Sequence, residues 1–508
     1  MKQKKKVTIR VTKIKIDNNK IHNNMRKYIL WAVAFVCSCL PLTSQAQRTF
    51  SFHDGAFVIA QFTDIHWAPQ SEKCAQTAAT IRSVLKTEHP DLAVLTGDIV
   101  TDTPPLDGWK AIIRLFEECN MPFIVTMGNH DAEFLPKDSI YDLLMSSPYY
   151  AGTKGPRNIS GCGNCIVPVY GSKQPDKVEA LLYCIDSNDY HPNKFYGAYD
   201  WIHFDQIAWY RKESSAHTAG NGGKPLPSLA FFHIPLCEQA PLTKDDKTFG
   251  NALEGGVASS EINSGLFASL ADMGDVMGAF TGHDHDNDYI GIFKGIALGY
   301  GRVSGWDAYG NMERGARIIR LYEGEFKFDS WITTAKGRED AYYYPSGLNE
   351  KETRALPYLP PLNVSPKKNG VAYTYREGNC EKVADVLQAR VIKKGILPRI
   401  TITGATIPDH FAYEFRTWIE IPERGVYRFY TYSDDGSVLS IDNQKVVNND
   451  GGHSAQRAEG KVALEKGFHE LKVTYFEDYM GETLEVGFSG RNLPEMELPD
   501  RLLFVPER

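Results

Sequence analysis

The chain has 508 residues, of which 42% are hydrophobic and 23% charged, with nine cysteines and a formal net charge of −7. That is ordinary globular composition, and at about 100–200 residues per domain the length gives two to four domains. It excludes collagen-like, coiled-coil and wholly disordered chains.

The first element is an export signal. Residues 28–42 are almost wholly apolar, preceded by Arg26 and Lys27 and followed by Ser44-Gln45-Ala46, the form of a secretory signal with a small-residue cleavage site. The run is too short to cross a bilayer, and no later segment approaches the ~18 apolar residues of a spanning helix. Met25 is the expected true start, with residues 1–46 an N-terminal extension and signal peptide and the mature protein periplasmic, cell-surface or secreted. A competing reading makes Val36-Cys37-Ser38-Cys39 lipobox-like, with Cys39 acylated, but the apolar run continues past Cys39 to a better cleavage site. Removing residues 1–46 takes away ten Lys/Arg and one acid and leaves 46 Lys/Arg against 62 Asp/Glu, a net of −16. A surface that acidic disfavours nucleic acid and anionic membranes as partners. Seven cysteines remain, an odd number, and the close pair Cys162-Gly163-Asn164-Cys165 is expected as a small loop disulfide.

From residue 47 to 340, apolar runs alternate with helix-like segments such as 71–88 and 109–119, the pattern of an α/β layered domain. Residues 341–369 carry Pro345, Pro357, Pro360, Pro361 and Pro366 among polar residues and read as a semi-rigid linker. From 370 to 508, period-two runs such as 426–432 and 471–476 are separated by Gly/Asp/Asn turns, as in a β-sandwich or barrel.

Within the first domain five apolar runs each end on residues able to bind metal. They lead into Asp64-Ile65-His66, Gly97-Asp98, Gly128-Asn129-His130-Asp131, His233 and Gly282-His283-Asp284-His285. In open α/β sheets ligands bind outside the carboxyl ends of the strands, so distant segments converge on one crevice. Glycine precedes three of the clusters, consistent with tight turns. Asp64, His66, Asp98, Asn129, His233, His283 and His285 form an oxygen-and-imidazole set without thiolate, which suits Zn²⁺, Mn²⁺ or iron; seven ligands are too many for one ion but right for two that share a carboxylate. Two ions ~3.5–4 Å apart form a template for in-line displacement at phosphorus, with the pKa of the water between them lowered to ~7. No glycine-rich loop leads into Lys-Ser/Thr, which argues against a P-loop nucleotide site.

These blocks resemble, in order and spacing, those of the calcineurin-like metallophosphoesterases over about 230 residues. The resemblance implies a four-layer α/β sandwich of two mixed sheets flanked by helices. It implies that Asp64, His66 and His285 bind one metal, Asn129, His233 and His283 the other, and that Asp98 bridges them. His130 would contact the phosphate and protonate the leaving oxygen, with Asp131 orienting its ring. Residues 229–236, 263–267 and 280–289 resemble more narrowly the branch related to small purple acid phosphatases. Thr101 stands where a purple enzyme has its tyrosine ligand and His66 where it has glycine, so a Mn²⁺, Zn²⁺ or mixed-iron site is implied rather than a purple ferric one. The expected activity is hydrolysis of small-molecule or glycan-linked phosphate monoesters by a metal-bridging hydroxide. The alternative is a phosphodiesterase acting on nucleotides or lipid head groups. An aromatic-rich stretch with Tyr190, His191, Phe195, Tyr196, Tyr199 and Trp201, and the segment 299–310, either wall the pocket of an organic phosphate or pack long loops.

Residues 370–505 resemble the PA14 β-sandwich modules, most strongly over 425–451 and 467–469. In lectin-like members an Asp-Asp pair binds Ca²⁺, which holds sugar hydroxyls. That carries over to Asp434 and Asp435, with Asn449 or Asp450 as partners, and oxygen-only ligands are what Ca²⁺ prefers. Read without the resemblance, Asp434-Asp435-Gly436 is a turn between strands. A rival of another class makes the whole protein a carbohydrate-binding or adhesion protein on a non-catalytic phosphatase-like scaffold; the intact ligand set argues against it.

Overall fold

The computed structural model of the protein describes residues 48–244, 248–366 and 368–505. The signal segment, Met25 and Cys39 lie outside the described residues. The chain enters through β1 (Phe50–Ser51) and β2 (Ala56–Phe62), followed by α1 (Cys74–Glu88), β3 (Leu92–Thr96), α2 (Pro105–Glu118), β4 (Phe123–Thr126) and α3 (Lys137–Leu144). Next come β5 (Cys165–Tyr170), β6 (Val178–Cys184), α4 (Phe204–Gly220), β7 (Ser228–Phe231), α5 (Leu266–Met273) and β8 (Val276–Thr281). The strands β9 (Ile290–Phe293), β10 (Ile296–Tyr300), β11 (Gly315–Tyr322), β12 (Phe328–Thr334), β13 (Gly337–Arg338), β14 (Tyr342–Tyr344) and β15 (Leu348–Asn349) complete this part, and α6 (Glu350–Ala355) follows.

Alternation along the strands sets the layers. In β2, Phe57 and Ile59 face one apolar core while Ala60 and Phe62 face another; β3 splits Leu92 and Val94 from Ala93 and Leu95 in the same way. One sheet has the order β1-β5-β6-β7-β8-β10-β9, the other β15-β14-β12-β11-β2-β3-β4, and both mix parallel and antiparallel pairs. The core between the sheets joins Phe57, Ile59 and Val94 to Leu229, Phe231 and Phe280. Outside it, α1 and α2 cover one sheet through Ile81, Trp109 and Phe116, and α4 and α5 cover the other through Ile207, Tyr210 and Leu270. Helix α2 forms because Pro105 pre-sets its first turn and Trp109, Ile112, Ile113 and Phe116 recur at i, i+3, i+4 and i+7, a single buried stripe. The result is the four-layer α/β sandwich that the resemblance implies.

The second part is all β. It begins with β16 (Tyr358–Leu359), β17 (Val371–Glu377), β18 (Arg390–Leu397), β19 (Phe411–Ile421), β20 (Gly425–Asp434) and β21 (Ser437–Ile441). It closes with β22 (Gln444–Asn449), β23 (Gln456–Leu464), β24 (Gly467–Glu477), β25 (Thr483–Gly490), β26 (Leu493–Glu497) and β27 (Leu503–Phe504). Its sheets have the orders β16-β23-β20-β25-β26 and β18-β17-β19-β24-β21-β22, the latter with β27 beside β19. Phe411, Tyr413, Phe415 and Ile419, an even number of residues apart and so on one face of β19, meet Tyr427, Phe429 and Phe488 across the sandwich.

The segment expected as a linker is partly sheet. Tyr342, Tyr343 and Leu348 are buried in β14 and β15, and Tyr358–Leu359 pairs with β23 of the sandwich. Prolines at the turns dominate the composition of the segment, while the three tyrosines supply enough apolar surface to seat it. Val426 and Ala463 of the sandwich join the same apolar cluster as Tyr343 and Leu348, and Arg491 donates to Asp329 at 3.1 Å. These contacts close the seam between the two parts.

Candidate metal centre

Three parallel strands of one sheet, β2, β3 and β4, and two of the other, β7 and β8, deliver the seven expected ligands from their carboxyl ends. The turns there are unusual. Asp64, His66, Asp98 and His283 all take positive φ, from 44° to 83°, which non-glycine residues adopt rarely and which collects at functional sites. Only one of the three glycines before the clusters follows the tight-turn expectation, Gly97 with φ 85°. Gly282 is needed for space, since a Cβ there would lie 1.8 Å from Thr63 Oγ1 and 2.7 Å from Asp64 Oδ2. Backbone bonds tie the turns together: Asp64 N to Gly97 O at 3.1 Å, His66 N to Asp98 O at 2.9 Å and Gly282 N to His233 O at 3.1 Å.

Two groups of donors result. Atoms of Asp64, His66 and His285 lie within 4.8 Å of one another, as do those of Asp98, His233 and His283. Asp98 Oδ2 is 3.4 Å from His233 Nε2 and 3.6 Å from His66 Nε2, so one oxygen reaches both groups. His285 Nε2 is 3.3 Å from Asp64 Oδ1. His233 Nδ1 donates to Thr96 O at 2.7 Å, which turns Nε2 toward Asp98 and to 3.2 Å from His283 Nδ1. Asn129 Oδ1 and His66 Nε2 are buried without a hydrogen-bond partner among the described residues. Buried acceptors are normally paired, so these two fit a cation. Thr101 Oγ1, in place of the tyrosine ligand of purple enzymes, lies 3.2 Å from His66 Nδ1 and steadies that ring.

The electrostatics agree with that fit. Burial pushes His66 down to about 4 and His283 down to about 3, keeping both rings neutral. Burial also opposes ionisation of Asp98, but the facing His233 and His66 outweigh it and hold the carboxyl below its ordinary range. In return, against burial, Asp98 and Asp64 push His233 up to about 10. Two buried carboxylates draw positive charge into this place.

His130 sits at the mouth, its side chain 35% exposed. Its N–H donates to Asp98 Oδ1 at 2.9 Å, its Nδ1 lies 2.8 Å from Glu133 Oε1, and its Nε2 lies 3.3 Å from the Tyr190 hydroxyl. Asp131 does not orient this ring. Its Oδ1 accepts from the amides of Ile99 at 2.7 Å and Val100 at 3.1 Å and its Oδ2 from Gly128 at 2.8 Å, so it braces the turns after β3 and β4. These turns leave amides without strand partners, and a buried carboxylate one residue past His130 satisfies them. Burial and then Asp98 push the Asp131 carboxyl up to about 7. Glu133, which touches the ring instead, stands three residues after His130, a spacing that could have pointed to it.

Of the aromatic stretch, Tyr190 and Tyr199 reach the site. Tyr190 stacks on Tyr199 at 5.7 Å, and Tyr199 stands edge-on to His283 at 4.6 Å. From the segment 299–310, Tyr309 stacks on His285 at 3.8 Å. His191 and Trp201 stack on each other, and Phe195 is 85% exposed.

In the sandwich, Asp434 and Asp435 come together with Glu477, which sequence reasoning missed, within 4.8 Å. The expected partners face elsewhere. Asn449 Nδ2 donates to Ser433 Oγ and Gln456 O, and Asp450 Oδ1 accepts from the amides of Val383 and Gly451. Asp435 accepts from His453 N at 2.8 Å and Asp478 N at 2.9 Å, and Asp434 Oδ2 from Ala455 N at 2.9 Å. Glu477 accepts from the Tyr475 hydroxyl at 3.0 Å through Oε2, while its buried Oε1 has no partner among the described residues. Burial, with Asp435 and Asp434 adding to it, pushes Glu477 up to about 8.

Cys162 and Cys165 are unbonded. Cys165 begins β5 and lies directly across from Cys184 of β6 in the core between the sheets, while Cys162 stays in the preceding loop with its thiol 3.8 Å from Lys154 O. Among the described residues no helix is long and apolar enough to cross a membrane.

The sequence model of the calcineurin-like phosphoesterase family matches residues 57–287, and that of the PA14 domain matches residues 367–492. A protein of Arabidopsis thaliana named probable inactive purple acid phosphatase 29 is 32% identical over 340 residues, covering 59% of this chain and 87% of that protein. Probable inactive purple acid phosphatase 28 of the same plant is 32% identical over 331 residues, covering 57% of this chain and 82% of that protein. Among solved structures, a dimetal phosphatase from Danio rerio is 13% identical, with a TM-score of 0.38, over 56% of this chain and 98% of that one.

Proposed function

Since the chain belongs to the calcineurin-like phosphoesterases and carries a PA14 domain, we infer that it is an exported phosphatase that uses two divalent ions to hydrolyse phosphate monoesters. The observation that carries this reading is Asp98 Oδ2, which faces an imidazole nitrogen of each donor group at 3.4 and 3.6 Å. Asp64, His66 and His285 hold one ion, Asn129, His233 and His283 the other, and Asp98 lies between. The donor chemistry suits Mn²⁺, Zn²⁺ or iron. When bound, such ions supply Lewis acidity at a phosphoryl oxygen and an activated water.

The chain's own groups do the rest. His130, exposed at the mouth, delivers a proton from Nε2 to the leaving oxygen, help worth about 10²–10⁴-fold. Asp131 holds the turns that aim Asp98, Asn129 and His130. A monoester is the first choice because its terminal phosphoryl group offers three free oxygens to two ions and the donors around them. The rival is a diesterase on nucleotides or lipid head groups. Hydrolysis of p-nitrophenyl phosphate compared with bis-p-nitrophenyl phosphate decides between them, and selectivity for the diester overturns the first choice.

The apolar segment 28–42, between Arg26-Lys27 and Ser44-Gln45-Ala46, supports export, with N-terminal sequencing expected to read from Gln47. In the PA14 domain Asp434, Asp435 and Glu477 form the Ca²⁺ site through which the domain docks to glycans. The two plant relatives are named probable inactive, and with the PA14 domain that favours a second reading, a glycan-binding protein on an inactive scaffold. That reading predicts glycan binding without turnover, and the complete set of seven ligands in this chain weighs against it.

A further inference from the structure

We propose that Tyr190 is a further catalytic residue, its hydroxyl donating a hydrogen bond to the transferred phosphoryl group beside His130; this rests on the phosphoesterase reading above. The phenol oxygen lies 2.8 Å from Asn129 Nδ2 and 3.3 Å from His130 Nε2. An amide nitrogen can only donate, so the oxygen of Tyr190 accepts from Asn129 and its single hydrogen is left for another acceptor. That bond also fixes which way the Asn129 amide points. With Nδ2 turned to Tyr190, Oδ1 is the atom turned away, and it is the buried atom without a partner.

Glu133 Oε1 lies 2.8 Å from His130 Nδ1, which turns Nε2 to the other side of the ring, toward the Tyr190 hydroxyl. The Tyr190 hydrogen swings about the C–O bond, so an acceptor seated beside Nε2 takes it in place of the ring. A phosphoryl group seated between Asn129 and His130 presents anionic oxygens there, and a charge-assisted bond to one of them is the strong kind.

The placement is rigid and open to a substrate. Tyr190 pairs with Tyr199 in a short antiparallel bridge, closed by His191 N to Ala198 O at 3.0 Å and Asp200 N to Asp189 O at 2.9 Å. Its ring lies on Tyr199, which is itself held against His283. The residue is 40% exposed, so the hydroxyl stands at the mouth rather than in the core.

Tyr190→Phe keeps the ring, the stack and the bridge and removes only the hydroxyl. In the metal-loaded full chain, with p-nitrophenyl phosphate, the variant is expected to keep the metal content of the unaltered protein, with KM raised up to about tenfold and kcat lowered on the order of 10- to 100-fold. A kcat within twofold of the unaltered protein overturns the inference and leaves Tyr190 a wall of the pocket. Loss of one ion per chain also overturns it, making Tyr190 a positioning residue for Asn129. Calorimetric binding of inorganic phosphate separates this inference from the reading it rests on. If the unaltered chain hydrolyses no phosphate ester, that reading fails, and roughly tenfold weaker phosphate binding by Tyr190→Phe still supports the contact. Equal affinity, or no phosphate binding by either protein, overturns it.

Discussion

Asp98 of the α/β part gives one oxygen to the His130 amide and leaves the other facing two imidazole nitrogens, and beside it Asn129 Oδ1 has no donor among the described residues. Asp435 of the β-sandwich commits both its oxygens to backbone amides, at 2.8 and 2.9 Å. The residue types are alike, but Asp98 Oδ2 and Asn129 Oδ1 are kept from backbone amides, whereas both oxygens of Asp435 hold loops. Carboxylates of the first kind govern chemistry, and those of the second kind govern stability. Asp131 is an exception inside the first region, since its three amide bonds make it a brace of the second kind.

The largest expected effect falls on chemistry alone. His130→Ala lowers kcat for p-nitrophenyl phosphate by about 10²–10⁴-fold, with metal content and melting temperature unchanged because the ring is partly exposed and is no ligand. Undiminished turnover would refute its role. Asp131→Ala does the reverse first: three buried amides lose their acceptor, and unfolding free energy measured in urea falls on the order of 3 kcal/mol. A variant as stable as the unaltered protein breaks the distinction drawn between Asp131 and Asp98.

Smaller effects sharpen the sandwich side. Ca²⁺ at about a hundred times its dissociation constant stabilises by about 2.7 kcal/mol, so a melting curve should rise by several degrees, and Asp434→Ala should cancel that rise. No shift in the unaltered protein contradicts a Ca²⁺ site there. The smallest effect is on pH dependence without Ca²⁺. Glu477 is pushed up to about 8 from an ordinary 4.5, so its contribution to stability is complete below about 4.5 and is lost as pH rises through about 8. Glu477→Gln flattens that stretch of the stability curve, and an unchanged slope contradicts the assignment.

The ligands were legible because each follows an apolar run that could only be a buried strand, and strand ends of parallel sheets converge. The period of two in β20 and β24 likewise announced the sandwich. Asp131 was misread because its partner is chosen by turn geometry: whether a carboxylate meets a ring or a row of amides depends on dihedral angles that residue order does not display. Tyr190 lay in a loop where pocket and packing read alike, and only the bridge to Tyr199 aims it. Glu477 is 42 residues from Asp435 in sequence, and the pairing of β21 with β24 brings them together. The segment 341–369 misled because prolines at its turns masked the buried tyrosines of β14.

The central claim is a pair of ions held by seven side chains and needed for turnover. Metal analysis of the purified chain, with phosphate release measured before and after chelation, tests it most directly. The account predicts two divalent ions per chain, release that disappears on chelation and returns with Mn²⁺ or Zn²⁺. A chain that binds one ion or none, or that hydrolyses phosphate esters equally well after its metals are stripped, would contradict it.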